Sequence, residues 1–142
     1  MEPQSTTIAT HTDSGKPQGR PDVLIVEDDA QLANILRVKL VSSGLSAVIA
    51  RDGVEAMEAI KKQSPRLILL DLLLPKKDGF EVLRALGEEN LLGVVPVLIV
   101  SNFYSEDKIE QGKALGAVDY FAKAKVSTAE LVDNVKKYLA EK

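Results

Sequence analysis

The 142-residue chain contains no cysteine and no tryptophan, and its one histidine is His11. The lack of cysteine excludes disulfide bonds, a thiolate nucleophile and a cysteine-based zinc site. With one imidazole, a serine hydrolase or a multi-histidine metal centre has only His11 to use. Any chemistry of this chain therefore depends on carboxylates, lysines, hydroxyls and the backbone.

The chain also lacks an excess of positive charge and long apolar runs. Its 18 Lys+Arg and 21 Asp+Glu give a net charge of −3, which argues against an electropositive nucleic-acid surface. The apolar stretch 94–100 is interrupted by Pro96 and is far shorter than the ~20 residues of a membrane span. Residues 1–20 show no apolar signal-peptide core. We expect a cytoplasmic protein with no nucleic-acid and no membrane partner.

The composition divides the chain into a tail and one domain. Residues 1–21 contain three prolines, two glycines and few aliphatic side chains. Such a segment buries too little apolar surface to offset its ordering entropy, so we predict a flexible N-terminal tail over 1–21 and assign His11 no catalytic role. Residues 22–142 form the predicted folded domain.

Short apolar runs alternate with helical patterns along residues 22–142. Runs of this kind are typical of strands that are buried on both faces, and Ser127 and Glu130 form a capping box that opens the last helix. The alternation predicts an α/β, doubly wound, five-stranded parallel sheet with helices on both faces. The predicted strands are 23–26, 47–50, 67–70, 97–100 and 118–122.

Acidic, hydroxyl and lysine side chains follow the predicted strands at the edge where such sheets collect function. Carboxylates that meet there repel one another unless a cation lies among them, and Mg²⁺ prefers such oxygen ligands. We interpret two further acids, Asp29 and Asp52, as helix N-caps. The residues at the strand ends are Glu27, Asp28, Asp71, Ser101, Asn102 and Lys123.

Four stretches, taken in order, resemble the receiver domain of two-component response regulators, CheY-like and single-domain. They are VLIVEDD (23–29), LILLDLLLPKKDGFEVL (67–83), VLIVS (97–101) and DYFAKA (119–124). The resemblance covers about residues 22–140 and implies a flavodoxin-like sheet with strand order 2-1-3-4-5. It also implies a phosphoacceptor signalling domain that switches the surface formed by its fourth helix, fifth strand and fifth helix.

The resemblance implies an acceptor and a metal site. Asp71 is the expected phosphoacceptor, and it takes the phosphoryl group from a sensor histidine kinase or a histidine phosphotransfer protein. Mg²⁺ is the expected cofactor, bound by Asp28, Asp71 and the backbone carbonyl of Leu73, and by Glu27 through water.

The resemblance further implies a group of switch residues. Lys123 is expected to pair with the phosphoryl oxygens, and Ser101 and Asn102 to contact them. Tyr120 is the expected aromatic partner that turns inward. A downstream protein target then reads the altered surface.

The chain departs from the family pattern at three places. Ala124 replaces the usual proline after Lys123, and we predict a trans bond there because a cis bond before a non-proline residue is costly. Ser101 stands where threonine is commoner. Leu73 and Phe103 are apolar at positions where the family tunes hydrolysis of its phosphorylated aspartate, so we hypothesise a long-lived phosphoryl group. Alternatively, Phe103 and Tyr104 form an aromatic patch that faces a partner.

In the receiver interpretation the chain is not an enzyme, apart from self-catalysed phosphoryl acceptance and slow autodephosphorylation. Two alternatives stay open beside this interpretation. One is a phosphorylation-independent, receiver-like interaction module. The other is a Mg²⁺-dependent phosphatase with an aspartate nucleophile. Such phosphatases carry Asp-x-Asp after the first strand, whereas Asp71 follows the third predicted strand and precedes two leucines.

Overall fold

One five-stranded parallel sheet forms the centre of the protein. The computed structural model describes residues 19–102 and 104–141, so His11, Phe103 and most of the predicted tail lie outside the described residues. The strand order is β2-β1-β3-β4-β5, which confirms the predicted flavodoxin-like order 2-1-3-4-5. The strands are β1 (Val23–Val26), β2 (Ala47–Ala50), β3 (Leu67–Leu70), β4 (Val97–Ser101) and β5 (Asp119–Ala122).

Five helices cover the two faces of the sheet. The helices α1 and α5 pack on one face, and α2, α3 and α4 pack on the other, each over its own apolar core. Burial on both faces explains why β1 and β3 are continuous aliphatic runs, whereas β5 alternates buried and partly buried residues. The helices are α1 (Ala30–Ser42), α2 (Gly53–Gln63), α3 (Gly79–Glu88), α4 (Glu106–Ala114) and α5 (Thr128–Ala140).

Polar caps set where the helices begin. Asp29 and Asp52 accept hydrogen bonds from the first turns of α1 and α2, as interpreted from the sequence. The predicted capping box of Ser127 and Glu130 opens α5. A hydrogen bond from the Ser127 backbone N–H is the main reason that the pKa of Glu130 lies below its usual value. The caps therefore hold helix starts next to the carboxyl ends of the strands, where the candidate residues lie.

At the opposite edge, Asp22 ties the beginnings of three strands together. Its side chain is buried and accepts hydrogen bonds from the Ser46 backbone N–H at 2.9 Å and from Arg66 at 3.4 Å. Ser46 directly precedes β2, and Arg66 directly precedes β3. This cluster joins the beginnings of β1, β2 and β3, and their parallel pairing brings the carboxyl ends to the same edge.

Candidate functional site

The residues that follow β1, β3 and β5 are held in place by continuation of the sheet hydrogen bonds. The Glu27 backbone N–H donates to Ala50 O, and the Asp71 N–H donates to Val26 O, both at 3.0 Å. The Lys123 N–H likewise donates to Ser101 O at 3.0 Å. Because each bond belongs to the edge of the sheet, the three side chains project from a rigid frame into one space.

Lys123 contacts two buried carboxylates in that space. Its Nζ lies 2.7 Å from Asp71 Oδ2 and 3.0 Å from Glu27 Oε1. The carboxylate side chains are each 4% exposed and the lysine side chain 18%. The lysine and the acceptor predicted from the sequence are thus brought together directly.

Glu27, Asp28 and Asp71 form an acidic cluster in which one carboxylate oxygen from each residue lies within 4.8 Å of the other two. Three carboxylates and the one ammonium of Lys123 leave two negative charges when all are ionised. The donors are hard oxygen atoms, and the exposure of Asp28 opens the cluster to solvent. This donor set suits a divalent cation such as Mg²⁺, which keeps several of its waters.

Burial and neighbouring charges shift the pKa values of Glu27 and Lys123. Burial raises the pKa of Glu27, and the nearby Asp71 charge adds to the rise against the opposing effect of Lys123. Burial lowers the pKa of Lys123, but its hydrogen bonds with Asp71 and Glu27 outweigh that effect and the pKa is raised. Lys123 therefore carries its positive charge beside the two carboxylates at neutral pH.

The loop between β3 and α3 packs tightly against Asp71. The Leu73 N–H donates to Asp71 Oδ1 at 3.2 Å, while the Leu73 side chain is half exposed. A Cβ atom at Gly79 would lie 2.5 Å from the Asp71 carbonyl oxygen, so only glycine lets α3 begin this close to Asp71. This close approach depends on the tertiary structure, because it is set by how α3 docks on the sheet.

Ser101 and Tyr120 link this edge to the α4–β5–α5 face. Ser101 is fully buried at the end of β4, and Tyr120 points inward with 6% of its surface exposed. Burial is the main reason that the pKa of Tyr120 is raised; the Asp71 charge adds to the rise, and a side-chain hydrogen bond with Ser101 opposes it. Asn102 is exposed at the rim. The peptide bond between Lys123 and Ala124 is trans, as predicted.

The contact between Tyr104 and Tyr120 was not predicted from the sequence. Tyr104 lies in the loop before α4, and its ring packs edge-on against the Tyr120 ring with 5.9 Å between centroids. No spacing rule links residues 104 and 120, so the contact follows from the tertiary structure alone.

A flavodoxin-like sheet with an acidic cluster and a lysine at its carboxyl edge defines the class of protein, an α/β domain of the receiver type. The chain belongs to the response regulator receiver domain family, whose model matches residues 23–136. Members of this family are signalling domains of two-component systems rather than typical enzymes. They typically become phosphorylated on aspartate, bind Mg²⁺ at an acidic cluster, and interact with histidine kinases and downstream targets.

Two curated relatives differ in how much of their length this chain spans. It is 32% identical over 122 residues to the polar-differentiation response regulator DivK of Brucella anthropi, covering 84% of this chain and 96% of that protein. It is 36% identical over 101 residues to the alkaline phosphatase synthesis transcriptional regulatory protein PhoP of Bacillus subtilis. That match covers 71% of this chain and only 41% of PhoP.

Solved structures agree with the family assignment. The receiver domain of the Francisella response regulator 1452 superposes with a TM-score of 0.80 at 30% identity, over 86% of this chain and 98% of that one. These matches give no support to a phosphatase or to an interaction module that lacks phosphorylation. Within residues 19–102 and 104–141, no helix has the length and apolarity needed to cross a membrane.

Proposed function

We propose that Asp71 accepts a phosphoryl group from a sensor histidine kinase or a histidine phosphotransfer protein. The observation that carries this proposal is the contact of Lys123 with Asp71 at 2.7 Å inside the acidic cluster. The receiver domain is proposed to span 22–142 behind a flexible tail at 1–21, and the protein to act in the cytoplasm.

Phosphoryl transfer needs positioning and charge neutralisation more than covalent chemistry. Asp71 supplies the attacking carboxylate oxygen, and its Oδ1 is oriented by the Leu73 N–H. Lys123 offers an ammonium group to the charge that develops on the phosphoryl oxygens. Asp28, Asp71 and the Leu73 carbonyl are the proposed direct ligands of Mg²⁺, with Glu27 acting through water, and the bound ion supplies further neutralisation.

The proposed switch begins when phosphorylation adds up to about two negative charges beside the end of β4. The Ser101 hydroxyl and Asn102 are proposed to turn toward those oxygens and draw the loop before α4 inward. Tyr120 lies on β5, which pairs with the strand that ends in Ser101, so the change is proposed to reach the α4–β5–α5 face. A downstream protein target is proposed to read that face.

A small phosphodonor tests the proposed function directly. We expect the full chain, incubated with acetyl phosphate and Mg²⁺, to gain the mass of one phosphoryl group, and to gain much less when EDTA removes the metal. Intact-protein mass spectrometry measures the gain, with a known receiver as positive control. An unchanged mass under conditions that label the control contradicts the proposal.

The phosphoryl group is proposed to be long-lived, because Leu73 and Phe103 are apolar at the two positions where the family tunes hydrolysis of its phosphorylated aspartate. We expect Leu73→Asn to shorten the half-life of the phosphorylated protein, since an amide can orient that water. The half-life is measured by mass after the phosphodonor is removed. Val94→Asn, an exposed apolar residue just ahead of β4 and away from the site, is the matched control. A wild-type half-life of only seconds contradicts the proposal.

A further inference from the structure

Tyr104 forms a bridge between the two loops that flank Tyr120. Its ring packs against Tyr120 at 5.9 Å with an interplanar angle of 67°, an edge-to-face geometry. On its other side, Lys125 Nζ lies 5.7 Å from the centre of the Tyr104 ring. Tyr104 comes from the loop after β4 and Lys125 from the loop after β5, so the stack joins both loops over the buried tyrosine.

The Tyr120 ring borders an open groove. The groove has a volume of about 220 Å³, and its walls include Tyr104, Tyr120, Ala122 and Lys125. Tyr104 is 48% exposed whereas Tyr120 is 6% exposed. The outer ring therefore covers the inner ring on the side that faces the groove.

The helix α4 packs closely against the Tyr120 ring on a second side. A Cβ atom at Gly112 would lie 2.6 Å from Ile99 Cδ1 and 3.4 Å from Tyr120 Cδ2, so α4 approaches the sheet closely at this glycine. With α4 on one side and the Tyr104 ring on the other, the Tyr120 ring is held in its buried, inward position.

We propose that Tyr104 is a positioning residue that holds Tyr120 inward and thereby fixes the Ser101 hydroxyl that is proposed to contact the phosphoryl group. A serine hydroxyl donates one hydrogen bond and accepts others. The inward Tyr120 interacts with Ser101, so an outward ring removes one of the groups that fix this hydroxyl. This role rests on the proposed function, and Tyr104 acts through Tyr120 without touching the reacting atoms.

The test observes the tyrosine rings and phosphoryl uptake separately. The chain has three tyrosines, so protein with ¹³C-labelled tyrosine gives ring signals that single variants assign. Accessibility of the Tyr120 ring to a soluble paramagnetic agent is measured in the full chain without phosphodonor. The variants are Tyr104→Ala, Tyr104→Phe and, as a control on α5, Tyr138→Phe. The uptake rate from acetyl phosphate with Mg²⁺ is then measured for each.

We expect Tyr104→Ala to shift the inward-to-outward ratio of Tyr120 by about 2- to 12-fold, the range that an aromatic pair contributes. Phosphoryl uptake should slow by a similar factor. Tyr104→Phe keeps the ring and should behave as wild type in both measurements, as should Tyr138→Phe. Rescue by phenylalanine distinguishes the ring contact from loss of the Tyr104 hydroxyl.

Three outcomes overturn the proposal. The first is a Tyr120 ring that stays as protected in Tyr104→Ala as in wild type, and the second is a Tyr104→Phe variant that behaves like Tyr104→Ala. The third is a ring that turns outward with no change in the uptake rate. If wild type takes up no phosphoryl group, it is the proposed function that fails, and the ring measurement alone then decides whether Tyr104 positions Tyr120.

Discussion

Replacing Asp71 with asparagine is expected to abolish phosphoryl uptake completely. The amide is a far weaker nucleophile than the carboxylate, and the substitution removes one of the three negative charges that would hold a divalent cation. The Lys123 ammonium group loses its 2.7 Å partner but retains Glu27, so the fold should persist. Intact-protein mass after incubation with acetyl phosphate and Mg²⁺ measures the effect.

The matched control for this variant is Asp133→Asn, which makes the same chemical change on an exposed position of α5. It should gain the same mass as wild type. Peptide mapping of the wild-type product should place the modification in the segment that contains Asp71. A full phosphoryl gain by Asp71→Asn would mean that another residue is the acceptor.

Replacing Lys123 with alanine is expected to slow phosphoryl uptake by about 100-fold or more, the loss typical when a positioned donor to a charged transition state is removed. The same variant should bind Mg²⁺ at least as tightly as wild type. Removing the ammonium leaves the acidic cluster one unit more negative, and a divalent cation is attracted more strongly to it. Loss of uptake without loss of metal binding is the signature of a lysine that acts on the phosphoryl group.

Isothermal titration calorimetry with Mg²⁺ and the rate of phosphoryl uptake are the two measurements for Lys123. Asp28→Asn provides the opposite pattern, because it removes a proposed direct ligand and should weaken Mg²⁺ binding. Lys136→Ala, on an exposed position of α5, controls for the loss of a lysine elsewhere. Weaker Mg²⁺ binding in Lys123→Ala would show that the lysine organises the cluster rather than serving the transfer.

Much of the fold was predictable because its signals are local. The apolar run at 67–70 is too short for a helix and too continuous for a half-exposed strand, which leaves a strand covered on both faces. The caps at Asp29, Asp52 and Ser127 were also predictable, since a cap interacts with backbone groups two or three residues away. A second capping box, between Asp78 and Glu81, went unnoticed although its residues show the same pattern.

The candidate site was predictable for a different reason, the topology of parallel sheets. Once each strand is located, the residue after it must lie at the carboxyl edge. Glu27, Asp71 and Lys123 therefore met as expected, although residues 27 and 123 are distant in sequence. The close approach of Gly79 to Asp71 could not be predicted in the same way, because it depends on how α3 docks on the sheet.

The sequence by itself was enough to predict an α/β sheet with acids, a hydroxyl and a lysine along one edge. The spacing of apolar residues and the ends of strands can both be recognised from residues that are close together in the chain. Only the tertiary structure decided that Lys123 contacts Glu27 as well as Asp71, and that Tyr104 covers an inward Tyr120. Those contacts join residues from separate loops, and their distances are set by how helices and strands pack.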